Sequence, residues 1–318
     1  MAKKIGLVLG SGGMRGLAHI SVIEYLVSLG VHPDYVAGAS IGSIIGALYC
    51  AGKMDDFKRD FFSMTKAQVI KYFYPALSKS GLLNADKIID YIREYIPDDA
   101  LIEDLKVPLA IVATNYSTGT AVVFRKGKIL TAVRASISIP GVFIPVSYNG
   151  SLLVDGGVIN PLPIDVVKEM GAEIIIAVNL QPAVHKRSAR DAEKNKASAS
   201  SVSLLKPKYV EMIKRSWKLD MKNNWLSSWL EIRDKKKDMK KKDMMPNMFG
   251  IMMQTIQILM YQNTQFTLMH HKPDVLIEPD LLDVSWLDFS KSKNALEEGA
   301  KACESVREKL LEISRDIR

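Results

Sequence analysis

The 318-residue chain has little cysteine: only Cys50 and Cys303. Two thiols cannot build a disulfide framework, which excludes a small stapled secreted fold and suits a reducing compartment. Both fall in apolar helical patterns, so buried free thiols are expected. Long apolar runs are missing too. No uninterrupted stretch approaches the ~18 residues of a membrane span, so nothing is expected to cross a bilayer. Only Ile5 to Leu9 separates Lys4 from the first glycine cluster, too short for a signal peptide. The expectation is a cytoplasmic protein, with any membrane attachment peripheral and at the inner face. Histidine is scarce, at five residues. There is no internal repeat, no Gly-Lys-Ser/Thr of a P-loop and no recognisable nucleic-acid motif, so no nucleic-acid partner is expected. Oligomeric state has no signature in the chain. The length is enough for one α/β domain with a large core.

What is there begins with Gly38-Ala39-Ser40-Ile41-Gly42. This G-x-S-x-G follows the short apolar run Val36-Ala37 and opens the apolar helix Ile41 to Cys50. Strand, sharp turn and helix are the context in which the motif is a nucleophile elbow. Gly38 and Gly42 must be small because the turn brings strand and helix backbones together. Ser40 then projects beside the first free N–H groups of a helix, where developing negative charge is favoured. A small-residue turn in any α/β protein is the plainer alternative.

Upstream lies Gly10-Ser11-Gly12-Gly13-Met14-Arg15-Gly16, between the buried-strand pattern Ile5 to Leu9 and a helix from about Leu17 to Leu29. Such a loop offers bare backbone N–H groups to an anion. Arg15 stands where a dinucleotide fingerprint needs its third glycine, and the second strand ends in the elbow rather than in an acidic residue. An oxyanion hole at Gly12 and Gly13 serving Ser40 fits better. Arg15 could hold a substrate phosphate, steady the loop or simply be solvated. Downstream, the apolar run Leu152 to Val154 ends in Asp155-Gly156-Gly157, a common turn or a functional acid. A base for Ser40 is needed. His19, His32, His185, His270 and His271 all lack a triad context, and His19 reads as packing or loop support. A carboxylate with a raised pKa could take the proton directly.

These three motifs, in this order, resemble the patatin-like phospholipase family. The resemblance extends through Ala135 to Phe143, Asn160 to Pro163, Pro273 to Pro279 and Val284 to Phe289. It covers roughly residues 3–182 and 249–303, and the closing segments resemble those of the bacterial single-domain branch, which is similar to the neuropathy target esterase catalytic domain. It implies a three-layer α/β/α sandwich with a mostly parallel sheet. It implies Ser40 as nucleophile, Asp155 as general base, and backbone N–H groups of Gly12, Gly13 and Ile41 as oxyanion hole. Gly10, Arg15, Gly38, Gly42, Gly156 and Gly157 would support elbow and loop. It implies attack on acyl esters of phospholipid or lysophospholipid, with no metal and no cofactor. An acyltransferase sharing the acyl-serine step, or a non-catalytic lipid-binding regulator keeping the scaffold, are the alternatives.

Residues 183–250 depart from this pattern. They hold 18 Lys+Arg against 8 Asp+Glu, a net of +10, while the whole chain is +8. All the basic character therefore lies in one insertion within a single domain spanning 1–318. A helix is expected from about Lys208 to Arg233, with Trp217, Trp225 and Trp229 on an apolar stripe and Lys214, Arg215, Lys218 and Lys222 around it. That pattern reads either as an anchor to an anionic membrane surface or as a lid packed on the body. Phe249 to Met269 is rich in methionine and reads as adaptable core, with an acyl channel as the alternative. Strands are expected at Val107 to Thr114, Thr120 to Phe124, Ile174 to Asn179 and Val275 to Ile277. Helices are expected at Asp165 to Met170 and, as one long element, Ser292 to Ile317.

Overall fold

The computed structural model describes residues 3–73, 85–181, 248–284, 286 and 291–316. The expected insertion helix, with Trp217, Trp225, Trp229, Lys214, Arg215, Lys218 and Lys222, lies outside the described residues. The chain divides into two compact units, residues 1–184 with 255–318, and residues 185–254.

Chain order begins β1 (Ile5–Leu9), α1 (Ala18–Ser28), β2 (Tyr35–Ala39), α2 (Ile41–Cys50), α3 (Met54–Ser63), α4 (Lys66–Phe73) and α5 (Asp86–Ile92). Next come β3 (Leu109–Asn115), β4 (Ala121–Phe124), α6 (Ile129–Ser136), β5 (Val146–Tyr148), β6 (Ser151–Asp155), α7 (Ile164–Glu169) and β7 (Ile174–Val178). α8 (Met248–His270), β8 (Val275–Ile277), α9 (Ser292–Ser305) and α10 (Arg307–Asp316) close the described chain. The helix expected from about Leu17 to Leu29 is α1, preceded by a 3-10 turn at Gly13–Leu17 within the glycine loop. One expectation needs correction: the terminal helix is two helices, because Val306 leaves helical geometry at φ −117°.

The strands form one eight-stranded sheet in the order β5-β6-β3-β2-β1-β7-β8, with β4 also on β3. The run β3-β2-β1-β7-β8 is parallel, and β4, β5 and β6 are antiparallel. Alternation sorts the side chains between two covered faces. Val8, Ala37, Ala39, Ala110, Val112 and Ala177 meet Ile164, Val166 and Val167 of α7 on one face. On the other, Leu9, Val36 and Leu109 approach Gly46 of α2, and α1 and α9 pack on each other. The three layers α/β/α follow.

The chain departs from β1 to β2 on one side and to β7 on the other, a topological switch point beyond whose C-terminal strand ends open α/β sheets bind ligands, and Ser40 follows β2 beside it. Register completes the site. β4 pairs with β3 along Ile111 to Thr114, while β2 pairs with Leu109 to Val112 and β6 with Ala113 to Asn115. A strand has two edges and β4 takes one. β2 and β6 therefore share the other, meeting end to end: Ala39 sits opposite Val112 and Asp155 opposite Ala113. Ser40 and Asp155, 115 residues apart, become neighbours there.

Candidate active site

Ser40 occupies φ 55°, ψ −125°, a strained conformation for a residue with a side chain. Its neighbours allow it because they lack one. A Cβ on Gly42 would come within 2.0 Å of the Leu9 carbonyl oxygen, and one on Gly38 within 2.4 Å of that of Gly42. Any other residue there would force strand and helix apart. The Ser40 N–H donates to Ser136 Oγ at 2.8 Å, and that hydroxyl donates to the Val112 carbonyl at 2.6 Å. Ser43 Oγ donates to the Ser40 carbonyl at 2.6 Å. The elbow is thus held from α6, β3 and α2.

Ser40 Oγ donates to Asp155 Oδ2 at 2.5 Å, and Gly157 N–H donates to Asp155 Oδ1 at 2.7 Å. Ser40 is 3% exposed and Asp155 2%. Burial pushes the Asp155 carboxyl up to about 7, against the lowering effect of those two bonds. The Asp155 backbone is fixed as well: its N–H donates to the Ser138 carbonyl, and its carbonyl accepts from Thr114 Oγ1 at 2.8 Å. Gly156 is forced to be glycine, since a Cβ would come within 2.0 Å of the Val112 carbonyl oxygen.

The glycine loop lies against both. Gly10 and Ser11 N–H donate to the Val178 and Pro161 carbonyls. Gly16 abuts Ile41, and Ser11 abuts Gly157. No backbone bond from the Gly12 N–H occurs among the described residues. Gly13 opens the 3-10 turn and Ile41 opens α2, so neither N–H has an acceptor within its own helix. Gly13, at φ 57°, is pressed against Trp286, whose carbonyl accepts from Met14 N–H at 2.9 Å.

Arg15 is buried and its Nε donates to the Val284 carbonyl at 2.9 Å. His19 is buried with Nε2 on the Gly10 carbonyl at 2.8 Å, so that nitrogen carries the proton. Burial pushes its pKa down to about 4, leaving it neutral at pH 7. It braces the loop and does not pair with Ser40. Both cysteines are free and buried, and burial raises their thiol pKa values. Ser136, Ser138, Thr114 and Trp286 are the supports that motif reading leaves without a role. The signals for Ser136 are its place in the stretch Ala135 to Phe143 that shares the family resemblance and a hydroxyl inside the apolar pattern of α6.

The family profile described as patatin-like phospholipase matches residues 7–168, which contain the elbow, the glycine loop and Asp155. The chain belongs to this family. Among patatin-like relatives, an uncharacterized NTE family protein of Mycobacterium tuberculosis is 40% identical over 192 residues, 60% of this chain and 53% of that one. Patatin-like phospholipase domain-containing protein 6 of Homo sapiens is 37% identical over 185 residues, 55% of this chain and 13% of that one. Lysophospholipase nte1 of Aspergillus fumigatus is 34% identical over 186 residues, 56% of this chain and 12% of that one. The chain thus spans about half the length of the mycobacterial relative and about an eighth of the others.

Proposed function

We propose that this protein is a serine acyl-ester hydrolase acting on phospholipid or lysophospholipid through a Ser40–Asp155 dyad. The observation that carries the reading is the 2.5 Å bond from Ser40 Oγ to a buried carboxylate, with the buried His19 turned to the Gly10 carbonyl instead. A carboxylate held near pH 7 is matched to taking a proton at neutral pH. Asp155 accepts the Ser40 proton as Oγ attacks the ester carbonyl, and returns it to the departing alcohol. The acyl group rests on Ser40. Asp155 then activates a water that releases the fatty acid. The N–H groups of Gly12, Gly13 and Ile41 receive the charge on the carbonyl oxygen. One such donor is worth about 2.7–4 kcal/mol of barrier. These residues supply nucleophile, base and charge stabilisation without a metal or cofactor. The lipid class comes from the family and from the names of its relatives.

The test is intact-mass spectrometry after treatment with a fluorophosphonate ester. Wild type is expected to gain one adduct. Ser40→Ala is expected to gain none, and Asp155→Asn to react about 10²–10⁴-fold more slowly. An adduct retained by folded Ser40→Ala would remove the assignment. An acyltransferase is distinguished by adding a lipid alcohol as acceptor and weighing ester product against fatty acid.

A further inference from the structure

Helix α8 is unlike the chain around it. A quarter of all residues are charged, so 23 residues would carry about six, yet Met248–His270 contains no Asp, Glu, Lys or Arg. From Thr255 onward the helix belongs to the same compact unit as Ser40 and Asp155. Its inner face holds the turn after Asp155. Met260 is buried with its methyl against Gly157, and Asn263 Nδ2 donates to the Val158 carbonyl at 2.9 Å. Leu268 packs on the core beneath the sheet. The expectation that the methionines here are core is met by Met253 and Met260, which are buried, and fails at Met269, which is 70% exposed because it lies on the outer face.

The outer face is the unexplained part. From Thr255 onward its exposed positions are Thr255, Ile258, Leu259, Gln262, Phe266, Met269 and the terminal His270, and all but His270 fall on one stripe at three- and four-residue spacing. A surface helix normally turns charges outward there. Here Leu259 is 54% exposed, Phe266 59% and Met269 70%. Ile159, beside the Val158 that Asn263 holds, is an exposed apolar side chain too.

We propose that α8 is an interfacial helix: its outer stripe lies on an anionic lipid surface while its inner face holds the Asp155 turn close to that surface. This rests on the lipid reading above. Three observations choose the occupant. A charge-free row whose large members Ile258, Leu259, Phe266 and Met269 are apolar asks only for apolar depth, which a bilayer interface provides. The row offers roughly a few hundred Å², short of the ~1,200–2,000 Å² of a stable protein–protein interface. The sequence leading into the helix is strongly basic, with six lysines between Lys235 and Lys242, and anionic headgroups attract such a segment. No described helix is long and apolar enough to cross a membrane, so α8 lies on the surface rather than through it. A helix is about 10–12 Å across, which sets the depth of the Asp155 turn behind the lipid.

The test uses the full chain and Leu259→Gln/Phe266→Gln, a pair of exposed substitutions that keep helix-forming residues. Both proteins are sedimented with phosphatidylcholine vesicles, with and without phosphatidylglycerol, and assayed on a soluble short-chain ester. Wild type is expected to bind, more tightly with phosphatidylglycerol. The variant should lose about tenfold or more in partitioning while its short-chain rate is unchanged. Slower amide exchange across 255–269 when vesicles are added to wild type checks the same point without a variant. Equal binding by the two proteins, no binding by wild type, or a dimer that dissociates in the variant with no change on vesicles would overturn the proposal. Stripe-dependent binding by a protein that hydrolyses no ester would leave the docking surface standing and remove the hydrolase instead.

Discussion

Asp155→Asn should make the protein more stable and nearly inactive, and the pH at which the stability appears can be worked out. The Asp155 carboxyl rises from an ordinary 3.8 to about 7 because the fold removes it from water. Between those values the unfolded chain has released its proton and the folded chain still holds it. Stability therefore falls as pH rises from about 4 to about 7, then levels. At about 1.36 kcal/mol per unit, the ionised carboxylate costs roughly 4 kcal/mol at neutral pH. Asparagine removes that cost while its amide can still meet Ser40 Oγ and the Gly157 N–H. The assay is urea denaturation of both proteins at about pH 4 and about pH 8. The two should be close at the acidic end, with the variant ahead by up to roughly 4 kcal/mol at the alkaline end. Comparing variant with wild type at each pH is necessary, because His19 titrates in the same window with opposite sign. The rate should run the other way: wild-type acylation climbs to a plateau above about pH 7, where Asp155 is ionised. A variant no more stable than wild type at pH 8 would refute the claim that this carboxylate is desolvated, and with it the reason it can act as a base.

Ser136→Ala leaves the Ser40 N–H without its acceptor in a buried turn, so a loss of about 1–3 kcal/mol is expected in denaturant melts, with a fall in kcat larger than any change in KM. His19→Gln keeps a donor to the Gly10 carbonyl but carries no titrating ring. The wild-type His19 is depressed from 6.5 to about 4, so it adds stability that is present above 6.5 and lost as pH falls through 4, worth roughly 3 kcal/mol. The variant's stability should be flatter between those values, and parallel curves for the two proteins would contradict the burial. Thr114→Val preserves shape and removes the hydroxyl that binds the Asp155 carbonyl; about 1 kcal/mol of stability should be lost, read as a lower urea midpoint.

The legibility of this chain was uneven for physical reasons. The elbow and the glycine loop could be read because their constraints are local: Gly42 has no room for a Cβ, and the helix that follows Ser40 starts where the motif puts it. The strands β1, β2, β7 and β8 were visible as short apolar runs because both faces of the sheet are covered. Ser136 carried no such mark. It is a hydroxyl in an apolar helix whose meaning lies 96 residues away, at the Ser40 N–H. The outer face of α8 was obscured by composition, since methionine and isoleucine at helical spacing report that one face is buried and say nothing about the other. Val306 breaks the terminal helix without proline or glycine, so spacing alone joined α9 to α10.

The Ser40–Asp155 contact itself depends on something no motif encodes, the register of β6 on β3. Side chains alternate across a sheet, so a slip of one residue would send the Asp155 carboxylate to the opposite face. β6 is short, and its pairing with β3 spans only Leu153 to Asp155. What pins it is a set of contacts that converge on one residue: Thr114 Oγ1 on the Asp155 carbonyl, the Ser138 carbonyl on its N–H, and the contact of Gly156 with the Val112 carbonyl. The last is the most demanding, because Val112 also accepts from Ser136, which holds the Ser40 N–H. One carbonyl of β3 thus touches the supports of both Ser40 and Asp155. Their separation is set by the backbone of β3 rather than by either loop, which is how two residues so far apart in the chain are held within 2.5 Å.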